Sequence, residues 1–205
     1  MPALAERHRV VAIELQGHGR TTDSDRPLSL ERLADDVAEV LTQASVERAD
    51  VLGFSLGGLV SVELARRHPQ RLRRLVLASV HTSPQGYHDD ITSPDARPGI
   101  GRMPTEDDFR AWQEAYRTVA PEPDHFEAFA AKASAWVASL RGWSEEELGQ
   151  VHPIVRPAVP VWVSEPWVCH AVCVRGSASG VAWRAAPGEM PTVRLNARLN
   201  AASDS

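Results

Sequence analysis

The residues best suited to chemistry are Gly53-Phe54-Ser55-Leu56-Gly57. An apolar run, Val51-Leu52, enters this segment, and Leu59-Val60-Ser61-Val62-Glu63-Leu64-Ala65 leaves it in a helix-compatible pattern. A strand, a sharp turn and a helix are therefore expected around Ser55, the setting in which Gly-x-Ser-x-Gly carries a nucleophile. On such a turn Gly53 and Gly57 let the backbone pass closely while the serine is pushed outward. The amide of Leu56, first in the helix, points toward an oxygen bound at Ser55. The helix dipole favours negative charge at that point. The chemistry these residue types support is attack of a hydroxyl on a carbonyl. A base must take the serine proton and donors must receive the charge.

Other reactive residue types nearby have plainer readings. Gly17-His18-Gly19 reads as a turn whose glycines permit positive φ and whose imidazole is partly exposed. His81 follows an apolar run and reads as a loop residue. Asp35-Asp36 could pair for acid–base work, but adjacent helix positions point apart, so a solvated face is expected.

The elements that position Ser55 follow from patterning. Residues 10–15 read as a strand. Ser29 reads as a helix N-cap, and Leu30, Leu33, Val37, Val40, Leu41 and Ala44 follow at helical spacing. The elbow helix is expected over 58–68, closed by Pro69. Leu75-Val76-Leu77-Ala78 suits a strand buried on both faces. Alternating strands and helices predict a parallel sheet with right-handed crossovers. Residues 83–105 are polar and rich in Pro and Gly. Residues 106–119 and 124–140 then read as helices. Their aromatics, Phe109, Trp112, Tyr116, Phe126, Phe129 and Trp136, recur at about helical spacing. They read as packing between helices or as the wall of an apolar substrate site.

The segment from Asp50 to Val60 resembles the α/β-hydrolase family. So do Arg9 to Thr21 upstream, with Gly17-His18-Gly19, and His68 to Ser79 downstream. The resemblance covers residues 1–82 as a partial core with its nucleophile elbow and, more loosely, residues 83–150 as a helical lid. It implies hydrolysis of a carboxylic ester or related acyl bond, with Ser55 as nucleophile and the Leu56 amide as one oxyanion donor. In the family a His-Gly loop supplies the second donor; here it would lie before Met1. An acid, a helix, a strand and a histidine base should follow the lid. Val159–Val163 can pass for a strand, Glu165 for the acid and His170 for the base. A separation of five positions cannot hold a helix and a further strand.

From about residue 150 the chain is rich in Arg, Ala, Val, Trp, Cys, Pro and Ser without periodicity, as an out-of-frame reading of GC-rich DNA would be. The expected fold is therefore an incomplete α/β-hydrolase parallel sheet with a helical lid and an irregular or disordered tail over 151–205. Truncation at the front and a frameshift near residue 150 would leave a weak or inactive enzyme. Two alternatives are a non-catalytic remnant that binds a small apolar ligand and a chain that does not fold.

Bulk properties narrow the classes. The 205 residues, 43% apolar and 24% charged, suit one soluble globular domain. A net charge of -5 gives no support for nucleic-acid binding. No apolar run reaches the ~18 residues that span a bilayer. Cys169 and Cys173 do not suggest a disulfide framework, and a cytoplasmic location is the default. The partner expected is a small-molecule substrate, with no nucleic acid, membrane, metal or cofactor. The oligomeric state is left open.

Overall fold

The structure, a computed structural model, describes residues 2–83, 86, 104–151, 155–157 and 170–175. A short helix α1 (Pro2–Ala5) leads into β1 (Arg9–Glu14), whose alternation buries Val11 and Ile13. Helix α2 (Leu30–Gln43) starts as the sequence predicts: the Ser29 hydroxyl accepts from the Arg32 amide at 3.2 Å. Its stripe of Leu33, Val37 and Leu41 is buried. Strand β2 (Ala49–Phe54) then enters helix α3 (Leu56–Arg67), in which Gly57 through Ala65 are all buried. Strand β3 (Leu72–Ala78) follows.

Helices α2 and α3 cover one face of the sheet, joining Val11, Ile13, Val51 and Leu75 in a single core. The sequence predicts β3 buried on both faces. Instead Leu72 and Leu75 are buried, while Val76, on the opposite face, is 36% exposed. A continuous apolar run cannot report which face a helix will cover.

The segment after β3 contributes α4 (Glu106–Val119), α5 (Phe126–Ala138) and the short α6 (Glu145–Gly149). Thr105 and Asp108 form a capping box that starts α4, as Ser144 and Glu147 do for α6. The aromatic stripe packs only in part, with Phe109 38% exposed and Phe129 buried. Tyr116 of α4 lies 5.6 Å from Phe126 and 6.3 Å from Phe129 of α5. Phe129 is buried in the core, and its ring meets His18 edge-on at 5.1 Å. The ends of the inserted segment meet: the Trp143 amide donates to the Thr82 carbonyl at 2.9 Å.

Two strands complete the sheet: β4 (Val155–Pro157) and β5 (His170–Arg175), in the order β1-β5-β2-β3-β4. The pairs β2–β3 and β3–β4 are parallel, as expected. Strand β5 departs from the expectation: it is antiparallel to both β1 and β2 and lies between them. The crossover through α2 skips one position. Strands β1 and β2 thus present backbone donors and acceptors to a common gap, which a strand in either direction can satisfy. The expected strand at 159–163 and Glu165 lie outside the described residues.

Candidate active site

The turn between β2 and α3 holds Ser55 at φ 49 and ψ −121. An L-residue there carries strain of about 1–3 kcal/mol, so the surroundings must over-determine it. The Ser55 amide donates to the Ala78 carbonyl of β3 at 2.9 Å. Its own carbonyl accepts from the Gly58 and Leu59 amides at 2.9 and 3.1 Å. Close packing completes the fixation. A Cβ on Gly53 would lie 2.5 Å from Ser61 Oγ and 2.6 Å from both the Gly57 carbonyl oxygen and Gly58 Cα. A Cβ on Gly58 would run into Val80 Cγ2. Gly57 is buried, and its carbonyl accepts from the Ser61 hydroxyl at 2.6 Å.

Ser55 itself is exposed. No described residue accepts from the Leu56 amide, which begins α3 with the positive end of the helix dipole. An exposed hydroxyl beside an unpartnered helix-start amide suits a tetrahedral oxyanion at Ser55.

The sequence-predicted residues Gly53, Ser55, Leu56 and Gly57 thus meet in one turn. His170 is the first residue of β5, opposite Glu14 in the register of β1. Because Gly53 pairs with Ala171 and the strands are antiparallel, the count carries His170 to the level of Phe54, at the end of β2 from which Ser55 emerges. Glu165 lies outside the described residues.

Among the described residues no histidine or carboxylate hydrogen-bonds the Ser55 hydroxyl. His18 Nδ1 bonds to the Gln16 carbonyl at 3.0 Å, His68 to Asp35 at 2.6 Å and His125 to Asp23 at 3.2 Å. Burial lowers the His18 pKa, outweighing the bonds to Gln16 and Leu15 and the nearby Asp23 charge. Burial also lowers that of His81, against a backbone bond at Ser83. Gly17 and Gly19 take the positive φ expected of them, 74 and 56. Asp35 and Asp36 are structural: Asp35 pairs with Arg67 and His68, Asp36 with Arg26.

Sequence reasoning missed a second cluster. Asp23, 4% exposed in its side chain, accepts from Lys132 Nζ at 2.8 and 3.0 Å. It also accepts from Gln16 Nε2 at 2.8 Å and from His125 Nε2 at 3.2 Å. This clasp ties the loop after β1 to α5. Its one sequence signal is that Lys132 is the only lysine in the chain.

Residues 1–151 match the sequence profile of the family described as alpha/beta hydrolase fold. The chain belongs to the α/β-hydrolase family. A pimeloyl-acyl-carrier protein methyl ester esterase of Neisseria meningitidis is 37% identical over 106 residues, 50% of this chain and 38% of that protein. A 2-hydroxymuconate semialdehyde hydrolase of Pseudomonas is 40% identical over 78 residues, 38% of this chain and 28% of that protein. The solved structure of a hydrolase from Pseudomonas aeruginosa is 27% identical, with a TM-score of 0.36 over 68% of this chain and 51% of its own. This α/β-hydrolase spans about a third of the length of the curated relatives it matches. Among its described residues no helix is long and apolar enough to cross a membrane.

Proposed function

We propose that this chain carries the nucleophilic half of a serine hydrolase acting on a carboxylic ester or related acyl bond of a small molecule. The observation that carries the reading is Ser55 in a strained turn, exposed, beside a Leu56 amide that no described residue engages. In the reaction Ser55 Oγ attacks the acyl carbon and the Leu56 amide receives the oxyanion. A base takes the serine proton and returns it to the departing alkoxide. Water then reverses the sequence to release the acid. The register of β5 supports His170 as that base, and Glu165 is the carboxylate the family order suggests to orient it.

Serine hydrolases that lose triad members fall by roughly 10⁴ to 10⁶ in rate, so slow turnover follows if Glu165 and His170 do not reach Ser55. A second reading is that the fold binds a small apolar ligand without acylation.

Labelling with a fluorophosphonate, located by mass spectrometry, separates the two. Slow modification at Ser55, lost in Ser55→Ala and slowed about 10²-fold or more in His170→Gln, is expected of the hydrolase. Absence of any Ser55 adduct after prolonged exposure of the folded chain would refute catalysis. Equal rates for His170→Gln and the parent would remove His170 from the mechanism.

A further inference from the structure

Three non-glycine residues among the described ones have positive φ: Ser45, Ser55 and Ser79, at 54, 49 and 53. Ser45 has a local reason. It follows the last turn of α2, and the Val46 amide reaches back to the Leu41 carbonyl at 2.8 Å, the left-handed closure that ends many helices. Ser55 is the proposed nucleophile. Ser79 ends no helix.

Its place is set by register. Phe54 of β2 pairs with Ala78 of β3, so Ser55 and Ser79 each follow the last paired residue of neighbouring parallel strands. The Ser55 amide to Ala78 carbonyl bond, 2.9 Å, joins the two turns directly. Both serines are exposed, and no hydrogen bond among the described residues engages the Ser79 hydroxyl. In sheets of this kind ligands bind at the carboxyl ends of the strands, where both turns lie. The turn at Ser79 has a structural use, since it seats Val80 over Gly58. Glycine would make that turn without strain; a serine retains a hydroxyl in the turn next to the nucleophile's at a conformational cost.

From this juxtaposition we infer that Ser79 is a substrate-contacting residue, its hydroxyl hydrogen-bonding an ester held at Ser55. The inference rests on Ser55 being the acyl-binding position. Ser79→Gly keeps the turn and relieves its strain but removes the hydroxyl. Ser79→Asn keeps a short polar group in a residue type that tolerates positive φ.

Binding is measured by calorimetric titration of p-nitrophenyl butyrate into full-length Ser55→Ala, where no acylation occurs. Adding Ser79→Gly should weaken the dissociation constant about fivefold, the value of one uncharged hydrogen bond. Adding Ser79→Asn should leave it within about twofold. The thermal midpoint should rise in Ser79→Gly, so weaker binding cannot come from unfolding. Equal affinity with and without Ser79→Gly, or no binding by Ser55→Ala at all, overturns the inference. Failure of the hydrolase reading is a separate result: the parent chain would release no more p-nitrophenol than Ser55→Ala while binding still depended on Ser79.

Discussion

The clasp at Asp23 offers the most direct perturbation of how the lid is held. Lys132→Met keeps most of the side-chain stem and deletes the ammonium. That removes bonds to Asp23 Oδ1 at 2.8 Å, to Oδ2 at 3.0 Å and to the Ser24 carbonyl at 2.5 Å. Exposure decides the magnitude. Asp23 is 4% exposed and Lys132 25%, so the pair lies between a surface ion pair and a buried one. The first contributes roughly 0–1 kcal/mol; breaking the second costs about 3–5 kcal/mol. Gln16 and His125 continue to hold the carboxylate. A loss of about 2 kcal/mol is expected, in keeping with hydrogen bonds to charged groups. For a chain of this size that lowers the thermal midpoint by roughly 4–8 °C.

A double-mutant cycle with Asp23→Asn isolates the pair, and a coupling of about 1.5 kcal/mol is expected. Coupling below about 0.5 kcal/mol would refute the reasoning, since the two charges would then behave as an exposed pair. Acid unfolding supplies a second readout. Burial pushes the Asp23 carboxyl up, but bonds from Gln16, Lys132, His125 and the Ser24 backbone override it and hold its pKa below the ordinary value. The unfolded chain therefore binds the proton first, near pH ~3.9. Asp23 contributes its full stability above that pH and loses it as pH falls through the folded value. Lys132→Met removes one of the bonds that depress the pKa, so acid unfolding should move to higher pH.

Trp143→Phe should cost about 1–3 kcal/mol in chemical denaturation. It deletes the indole bond to Glu63 Oε2, 3.0 Å, and leaves that 1%-exposed carboxylate to Arg66 alone among the described residues. Gly53→Ala should destabilise more than Gly58→Ala by the same assay. The new methyl at Gly53 meets backbone at 2.6 Å, whereas at Gly58 it meets the end of a valine side chain that can shift. Stability should also fall as pH drops below ~6.5, because burial keeps the His18 pKa below that of the unfolded chain. His18→Gln should flatten that part of the pH profile, and an unchanged slope would place its origin elsewhere.

Much of this architecture is legible in the sequence, and the limits have physical causes. Local signals are read well. The Ser29 cap, the start of α4 at Glu106 and the elbow at Ser55 all depend on neighbours within a few residues, so spacing alone identifies them. The clasp of Asp23 with Lys132 joins positions 109 apart, and the bond from Trp143 to Glu63 joins positions 80 apart. No local periodicity encodes such pairs. The strain at Ser79 is equally silent, because serine is at home in ordinary strand exits and nothing in its flanks demands a positive φ.

Strand β5 is the sharpest case of this blindness. His170-Ala171-Val172-Cys173-Val174-Arg175 sits in a segment whose composition reads as irregular, yet it fills the gap between β1 and β2. Periodicity reports which faces of a strand are buried but is mute about which strand lies alongside. The pairing of Arg9 with Arg175 joins residues on either side of the inserted helices. Strand β2 lies between β3 and β5, and among the described strands β1 is bonded to β5 alone. The loop that carries Asp23, and with it the anchor of α5, is therefore held to the rest of the sheet through a strand from the far end of the chain. The same strand brings His170 level with the exit toward Ser55. Attachment of β1 to the sheet and supply of a candidate base thus both depend on one six-residue strand, whereas Ser55 is held by its bonds to Ala78, Gly58 and Leu59. A change that blocks the β5 ladder should disturb the first two together, and a change confined to the elbow only the last.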